Sequence, residues 1–291
     1  MTKRRDVIKT IVAGSALASA STLFSSFKEF MPFNKNNLKG NINHSVCRWT
    51  YSFLSLDELC QLCQQIGIKA IDLVGPSDWG TLKKYNIYSS MCNGAEISLV
   101  DGFGEIKFHE QLIENYTKMI PLVAKAGYKN LICFSGNRRG MTDEEGLINC
   151  TKGLKQIMPL AEKHGVKIVM ELLNSKINHQ DYLADHTAFG VALCKSVGSD
   201  NFKLLYDIYH MQIDEGDVIR TLQSSHPYIA HYHTGGVPGR NEINDSQELF
   251  YPAIMKAIHE TGFKGYVAQE FVPKNEDKKA SLAEAVKICD I

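Results

Sequence analysis

The chain has 291 residues, 44% of them hydrophobic and 22% charged, a balance that excludes wholesale disorder and supplies apolar surface for one large core or two small ones. Lysine plus arginine and aspartate plus glutamate both number 32, so the formal charge is zero and no basic excess exists to neutralise phosphates along a nucleic acid. No nucleic-acid partner is expected.

The chain opens on Lys3, Arg4 and Arg5, followed by an uncharged run from Thr10 to Phe27 that contains Ala18-Ser19-Ala20, a small-residue cleavage site. The string from Lys3 to Lys9 resembles a twin-arginine signal, read by export machinery that carries proteins already folded, often with a cofactor in place. Residues 1–27 are therefore expected to be a signal peptide, 28–43 a polar linker, and 44–291 a domain that works in a bacterial periplasm. The alternative is an uncleaved N-terminal anchor, but the run is rich in Ala, Ser and Gly and weakly apolar for a membrane span. All eight cysteines lie beyond this leader, in a chain too large to need a disulfide framework. Cys60 and Cys63, three apart on one face of an amphipathic helix and without a second such pair to complete a zinc site, are expected to be buried packing.

From residue 45 onward, short apolar runs alternate with longer helical periodicities. Strands are expected near 45–50, 69–74, 87–92, 130–135, 167–172, 202–207, 228–233 and 265–270. Helices are expected near 56–66, 78–85, 109–126, 143–164, 186–197, 217–224, 247–260 and 280–288. Four helix-to-strand turns share one grammar, a glycine then one residue then lysine, at Gly67, Gly127, Gly165 and Gly262; glycine there supplies the left-handed residue that ends a helix. Eight strand-helix units in about 245 residues match a single α/β domain of the (β/α)8 TIM-barrel type. A dinucleotide fold would carry a phosphate-binding glycine motif, and no G-x-G-x-x-G follows any strand. Periodicity is weakest between Gly94 and Phe108.

Side chains at the carboxyl ends of barrel strands converge on one mouth. Four consecutive strands end in metal-competent residues: Lys167-Ile-Val-Met-Glu171, Phe202-Lys-Leu-Leu-Tyr-Asp207, Tyr228-Ile-Ala-His-Tyr-His233 and Gly265-Tyr-Val-Ala-Gln-Glu270. A single such acid is as readily a helix cap. Three carboxylates and an imidazole at one mouth would repel one another without a cation between them, and this oxygen-rich set suits one divalent ion, Mn²⁺ or Mg²⁺. A divalent ion on adjacent hydroxyl and carbonyl oxygens stabilises an enediolate, and carboxylates on either side of the substrate move the proton, which makes Glu171 and Glu270 the candidate proton-transfer pair. Asn174, His210, Arg240 and Glu242 are candidates for substrate contact, against the bland readings of a structural histidine and a solvated loop ion pair. Arg48 and Trp49, at the end of the first strand, are candidates to wall or clamp the pocket, though core packing explains Trp49 equally well; Tyr206 and Tyr209 are read as packing.

The strings Met170-Glu171-Leu-Leu-Asn174, Tyr206-Asp207-Ile-Tyr-His210-Met-Gln212, His231-Tyr-His233 with Val237-Pro-Gly-Arg240-Asn-Glu242-Ile, and Gln269-Glu270-Phe271 resemble the xylose-isomerase-like barrel superfamily, in particular its hydroxypyruvate isomerase and ketose 3-epimerase branches. The resemblance runs roughly from Val46 to Phe271. It implies Glu171, Asp207, His233 and Glu270 as metal ligands, Glu171 and Glu270 as the acid-base pair, and His210 and Arg240 near substrate oxygens. The Asp-Ile-Tyr-His-Met-Gln and Val-Pro-Gly-Arg strings look most like hydroxypyruvate isomerases, yet those commonly carry glutamine where this chain has His233, and ketose epimerases carry histidine. The substrate implied is a small sugar or hydroxy-keto acid. Two alternatives use the same barrel: a metal-dependent lyase or dehydratase of oxidised sugars, and a non-catalytic exported sugar-binding protein. An abasic-site endonuclease relative would need a cluster of extra histidines. Whether the chain forms a homo-oligomer stays open.

Overall fold

Residues 38–291 are described by the computed structural model; the expected signal peptide and the start of the expected linker lie outside the described residues. Eight short runs form strands: β1 (Asn43–Cys47), β2 (Ala70–Val74), β3 (Tyr88–Cys92), β4 (Asn130–Cys133), β5 (Lys167–Glu171), β6 (Phe202–Asp207), β7 (Ile229–Thr234) and β8 (Tyr266–Gln269). Each pairs in parallel with the next, and β1 pairs with β8 through Asn43 with Tyr266 and Val46 with Gln269, which closes the barrel. The expected α/β barrel is therefore the fold. With both faces covered, these strands read as continuous apolar runs rather than alternating ones.

The pleat still decides what faces where, because successive side chains point to opposite sides. On β7, His231 and His233 share the face that meets Asp72 of β2, whereas Tyr232 between them packs on Phe263, ring centroids 4.9 Å apart. The register sets Asp207 beside His233 and His233 beside Ala268, so the ends of β6, β7 and β8 arrive together.

Helices α1 (Leu56–Ile66), α2 (Trp79–Lys84), α3 (His109–Ala126), α4 (Asp143–His164), α5 (Thr187–Val197), α6 (Ile208–Asp214), α7 (Val218–Ser225), α8 (Tyr251–Glu260) and α9 (Lys278–Cys289) follow the strands. Two start on reciprocal caps, Ser55 with Glu58 and Thr142 with Glu145, each satisfying backbone donors the first turn leaves free. Gly67, Gly127, Gly165 and Gly262 all have positive φ, between 65° and 96°, as the shared turn grammar requires. Cys60 and Cys63 are buried on α1, as expected of packing residues.

The main departures from the sequence reading are these. β1 stops at Cys47, because the chain turns at once into a 3-10 segment at Trp49–Tyr51. α8 starts at Tyr251 rather than 247, since the Gln247 side chain closes a local turn on Leu249. α6 was not anticipated: it leaves β6 with no intervening loop, Asp207 serving as last strand residue and as N-cap. Part of the expected linker belongs to the domain, as Lys39 N donates to the Asp290 carboxylate at 2.9 Å and β1 begins at Asn43. The segment of weak periodicity after β3 is held by backbone bonds, Phe103 N to Phe134 O and Gly104 N to Ser135 O, with Phe103 fully buried.

Candidate metal centre

Glu171 ends β5, Asp207 ends β6, His233 lies near the end of β7 and Glu270 follows β8 directly. One ligand atom from each lies within 4.8 Å of all the others. The four are buried, Asp207 and His233 completely. His233 Nδ1 is 3.2 Å from Glu171 Oε1 and 2.8 Å from Glu270 Oε2. Arg240 reaches in from the β7–α8 loop, its Nη2 2.5 Å from Glu270 Oε2 and 3.3 Å from Asp207 Oδ2. Asp207 serves two purposes: Oδ1 accepts from Tyr209 N at 2.8 Å, capping α6, while Oδ2 turns to the cluster.

The electrostatics are those of a site short of positive charge. Burial pushes the Asp207 carboxyl up to about 8 against the pull of Arg240, and burial likewise raises Glu171. At Glu270 burial is outweighed by Arg240 and His233, which hold it well below the usual carboxylate range. Burial would lower the His233 imidazole, but Glu270, Cys47 and Asp72 outweigh it and hold it well above its ordinary value; a divalent cation in place of that proton would leave His233 neutral and offset three carboxylates that otherwise face one guanidinium. Glu171 Oε1 and His233 Nδ1 are both buried and close together, yet neither makes a well-aligned hydrogen bond. The donor set therefore fits an oxygen-preferring divalent ion, with one nitrogen ligand.

Beneath this set lies a layer that sequence reasoning missed. Asp72, fully buried on β2, places Oδ1 3.1 Å from His233 Nε2 and Oδ2 2.6 Å from His231 Nε2, and accepts from Ser90 Oγ at 3.0 Å. A carboxylate on Nε2 leaves Nδ1 of His233 free to face Glu171 and Glu270, the second-layer arrangement that fixes a ligand histidine's tautomer. Burial would raise Asp72, but His231 and His233 outweigh it and hold the group ionised. The register between β2 and β3 shifts on both sides of Asp72, and Leu73 sits at φ 58°, so a strained irregularity aims this carboxylate inward. Its only signal in the sequence is one acid interrupting the apolar run Ala70-Ile-Asp-Leu-Val74.

The other candidates divide. His210 accepts from Asn174 N on Nδ1 at 3.1 Å, which puts its proton on Nε2, 3.5 Å from Asp207 Oδ2 and without a hydrogen-bond partner. Burial, then Arg240, holds His210 well below its ordinary value, so it is a neutral donor at the mouth. Asn174 supports that ring and folds its own loop, accepting from Ile177 N and Asn178 N. Trp49 is no core residue: it is 43% exposed and donates from Nε1 to Glu270 Oε1 at 2.8 Å. Arg240 lies between the rings of Trp49 and Tyr209, 5.3 Å from each centroid, so Tyr209 is part of the mouth rather than packing alone. Tyr206 packs on Tyr232, as expected.

Two candidates do not reach the cluster. The Glu242 carboxylate accepts from Lys274 N, Asn275 N and Ser281 Oγ, all on Oε1, and so holds the segment after β8 rather than joining the group of four. Arg48 donates from Nη1 to Tyr51 O and from Nη2 to Leu54 O, closing the turn after β1 rather than joining the group of four.

Residues 81–289 match a family model described as a xylose isomerase-like TIM barrel. A 2-oxo-tetronate isomerase of Cupriavidus necator is 35% identical over 114 residues, 39% of this chain and 43% of that protein. The chain thus covers less than half the length of that relative. The hydroxypyruvate isomerase of Escherichia coli is 26% identical over 253 residues, 81% of this chain and 94% of the relative. Among solved structures, a D-psicose 3-epimerase with D-tagatose from Clostridium cellulolyticum superposes with a TM-score of 0.70 at 15% identity, covering 86% of this chain and all of that one, a likeness of fold.

Proposed function

We propose that this chain, which belongs to the xylose isomerase-like TIM barrel family, is a metal-dependent isomerase or epimerase of a small sugar or hydroxy-keto acid, with Glu171 and Glu270 moving the proton between neighbouring carbons. The observation that carries this reading is the convergence of two buried glutamates with Asp207 and His233 at one barrel mouth. A divalent ion held by these four, Mn²⁺ or Mg²⁺ by the nature of the donors, supplies positive charge to adjacent hydroxyl and carbonyl oxygens. The chain's own groups do the rest. Glu270, kept ionised, is placed to take a proton from carbon, and Glu171, raised by burial, to hold or return one. Arg240 and the Nε2 proton of His210 are offered to substrate oxygens, and the rings of Trp49 and Tyr209, each 5.3 Å from the guanidinium, hold it in place. Support for the substrate class comes from the isomerases of keto acids among its relatives, while His233 draws the reading toward ketoses.

The test is a panel of ketoses and hydroxy-keto acids offered to protein stripped by a chelator and then reloaded. Turnover is expected to vanish on stripping and return with Mn²⁺ or Mg²⁺, giving product of unchanged mass. Activity that survives thorough stripping would overturn the metal, and a product lighter by one water would make the protein a dehydratase.

Trp49→Phe keeps the ring against Arg240 and removes one charge-assisted hydrogen bond to Glu270. Such a bond contributes about 1.5–3 kcal/mol, so turnover should fall roughly ten- to a hundredfold while the denaturation midpoint barely moves. An unchanged turnover would show that Trp49 does not position Glu270.

We also propose that residues 1–27 are a twin-arginine leader and that the protein works in the periplasm. Changing Arg4 and Arg5 to lysine should retain the protein in the cytosolic fraction; export that survives the change would dismiss the leader.

A further inference from the structure

A second group of ligand-competent side chains lies outside the mouth and shares no residue with it: Asp185, His186 and Asp214, with one ligand atom from each within 4.8 Å of the others. His186 is the N-cap residue of α5 and Asp214 the last residue of α6. His186 Nδ1 is 2.7 Å from Asp185 Oδ1. Ser175 joins the two carboxylates, its N donating to Asp214 Oδ2 at 2.9 Å and its Oγ to Asp185 Oδ2 at 2.6 Å.

The independent observation is Asp214 itself. It is 7% exposed, its Oδ1 is buried with no hydrogen-bond partner, and among the described residues no cationic side chain pairs with its carboxylate. Lys176 passes close by but spends its ammonium on the backbone carbonyls of Ile213 and Asp214. Of the two carboxylates Arg138 approaches Asp185 alone, at 3.4 Å, while its other nitrogen pairs with Asp143. A buried carboxylate with an orphan oxygen, paired with no lysine or arginine among the described residues and facing only the half-exposed His186 that Asp185 already engages, is costly unless a cation completes it.

We propose that Asp185, His186 and Asp214 form a second divalent-metal site, of the zinc type given one imidazole and two carboxylates, with remaining positions open to water. The ion ties the end of the β5–α5 loop to the end of α6. That loop carries Asn174, which fixes the His210 ring, and Asn178, which accepts from Tyr209 OH at 2.9 Å. The site is thus a structural clip on one wall of the mouth, and it stands independently of the proposed activity.

The experiment counts Zn²⁺ bound per chain by native mass spectrometry, on the full protein freed of metal and reloaded with Zn²⁺ alone. Two ions are expected on the wild-type chain, one on His186→Ala, one on Asp214→Asn, and one on the mouth variant Asp207→Asn with His233→Ala, which loses a carboxylate charge and the only nitrogen donor of that group. His186 is half exposed at a helix end, so its replacement tests the site even if Asp214→Asn fails to fold. A wild-type chain with one ion, lost in His186→Ala and kept in the mouth variant, would support the clip and overturn the mouth as a metal centre. A zinc count that His186→Ala leaves unchanged would overturn the clip. Hydrogen exchange gives the second readout: zinc should protect residues 172–186 in the mouth variant and not in His186→Ala.

Discussion

Glu270→Gln is expected to lower turnover by about 10²–10⁴, the contribution of a positioned general base, while metal affinity is largely kept. Glutamine preserves the shape and one liganding oxygen, and it can still accept from Trp49 Nε1; it cannot take a proton from carbon. Arg240 loses one of its two carboxylate partners but keeps Asp207. Glu171→Gln should fall comparably if both carboxylates transfer protons. Asp207→Asn is the informative contrast, because asparagine still caps α6 through the Oδ1 position while the ligand charge is lost. Its defect should lie in metal binding, so added metal restores part of its activity. Turnover against metal concentration separates the cases: full rescue of both glutamine variants would mean that neither glutamate is a base.

Removing Asp72 should be the most destabilising single change at the site. Asp72→Ala leaves His231 Nε2 and His233 Nε2 buried without the carboxylate that faces them, and each buried donor left without an acceptor costs about 1–3 kcal/mol. Ser90 Oγ loses its acceptor as well. Metal affinity should drop about 10–100-fold in the fraction that folds, since the tautomer of His233 is no longer fixed. Denaturant unfolding and a metal titration read the two effects separately. A variant with native stability and native affinity would show that Asp72 is a spectator.

These two variants also mark where the sequence was legible. The four clustered residues were visible because each lies at the carboxyl end of an apolar strand, and a strand end in a barrel has one destination; the run Lys167 to Glu171 needs no partner to be read. The helix-ending glycines were visible because a left-handed turn is a local demand on the backbone. Asp72 was not visible, because its meaning lies in partners on β7, and a lone acid in a strand has many harmless explanations. α6 escaped because its cap is also a strand residue, so no loop separates two periodicities. Glu242 was grouped with Arg240 by nearness in sequence, but that arginine sits at φ 55°, the chain reverses between Gly236 and Asn241, and two residues later the side chain holds the segment after β8, a partner the sequence does not announce. Trp49 was ambiguous because an aromatic after a strand reads equally as core, and only the exposed ring over Arg240 decides it.

Isotope tracing in deuterated water tests proton transfer by the two glutamates most directly. Metal-loaded protein is incubated with whichever ketose or hydroxy-keto acid it converts, and the carbon next to the carbonyl is examined in product and recovered substrate. Deuterium from solvent is expected at that carbon with the wild-type chain, and its rate of appearance should collapse in Glu270→Gln along with turnover. Conversion that keeps the original hydrogen throughout, with no solvent deuterium in either compound, would contradict carboxylate-mediated proton transfer and point to direct migration of hydrogen between the two carbons.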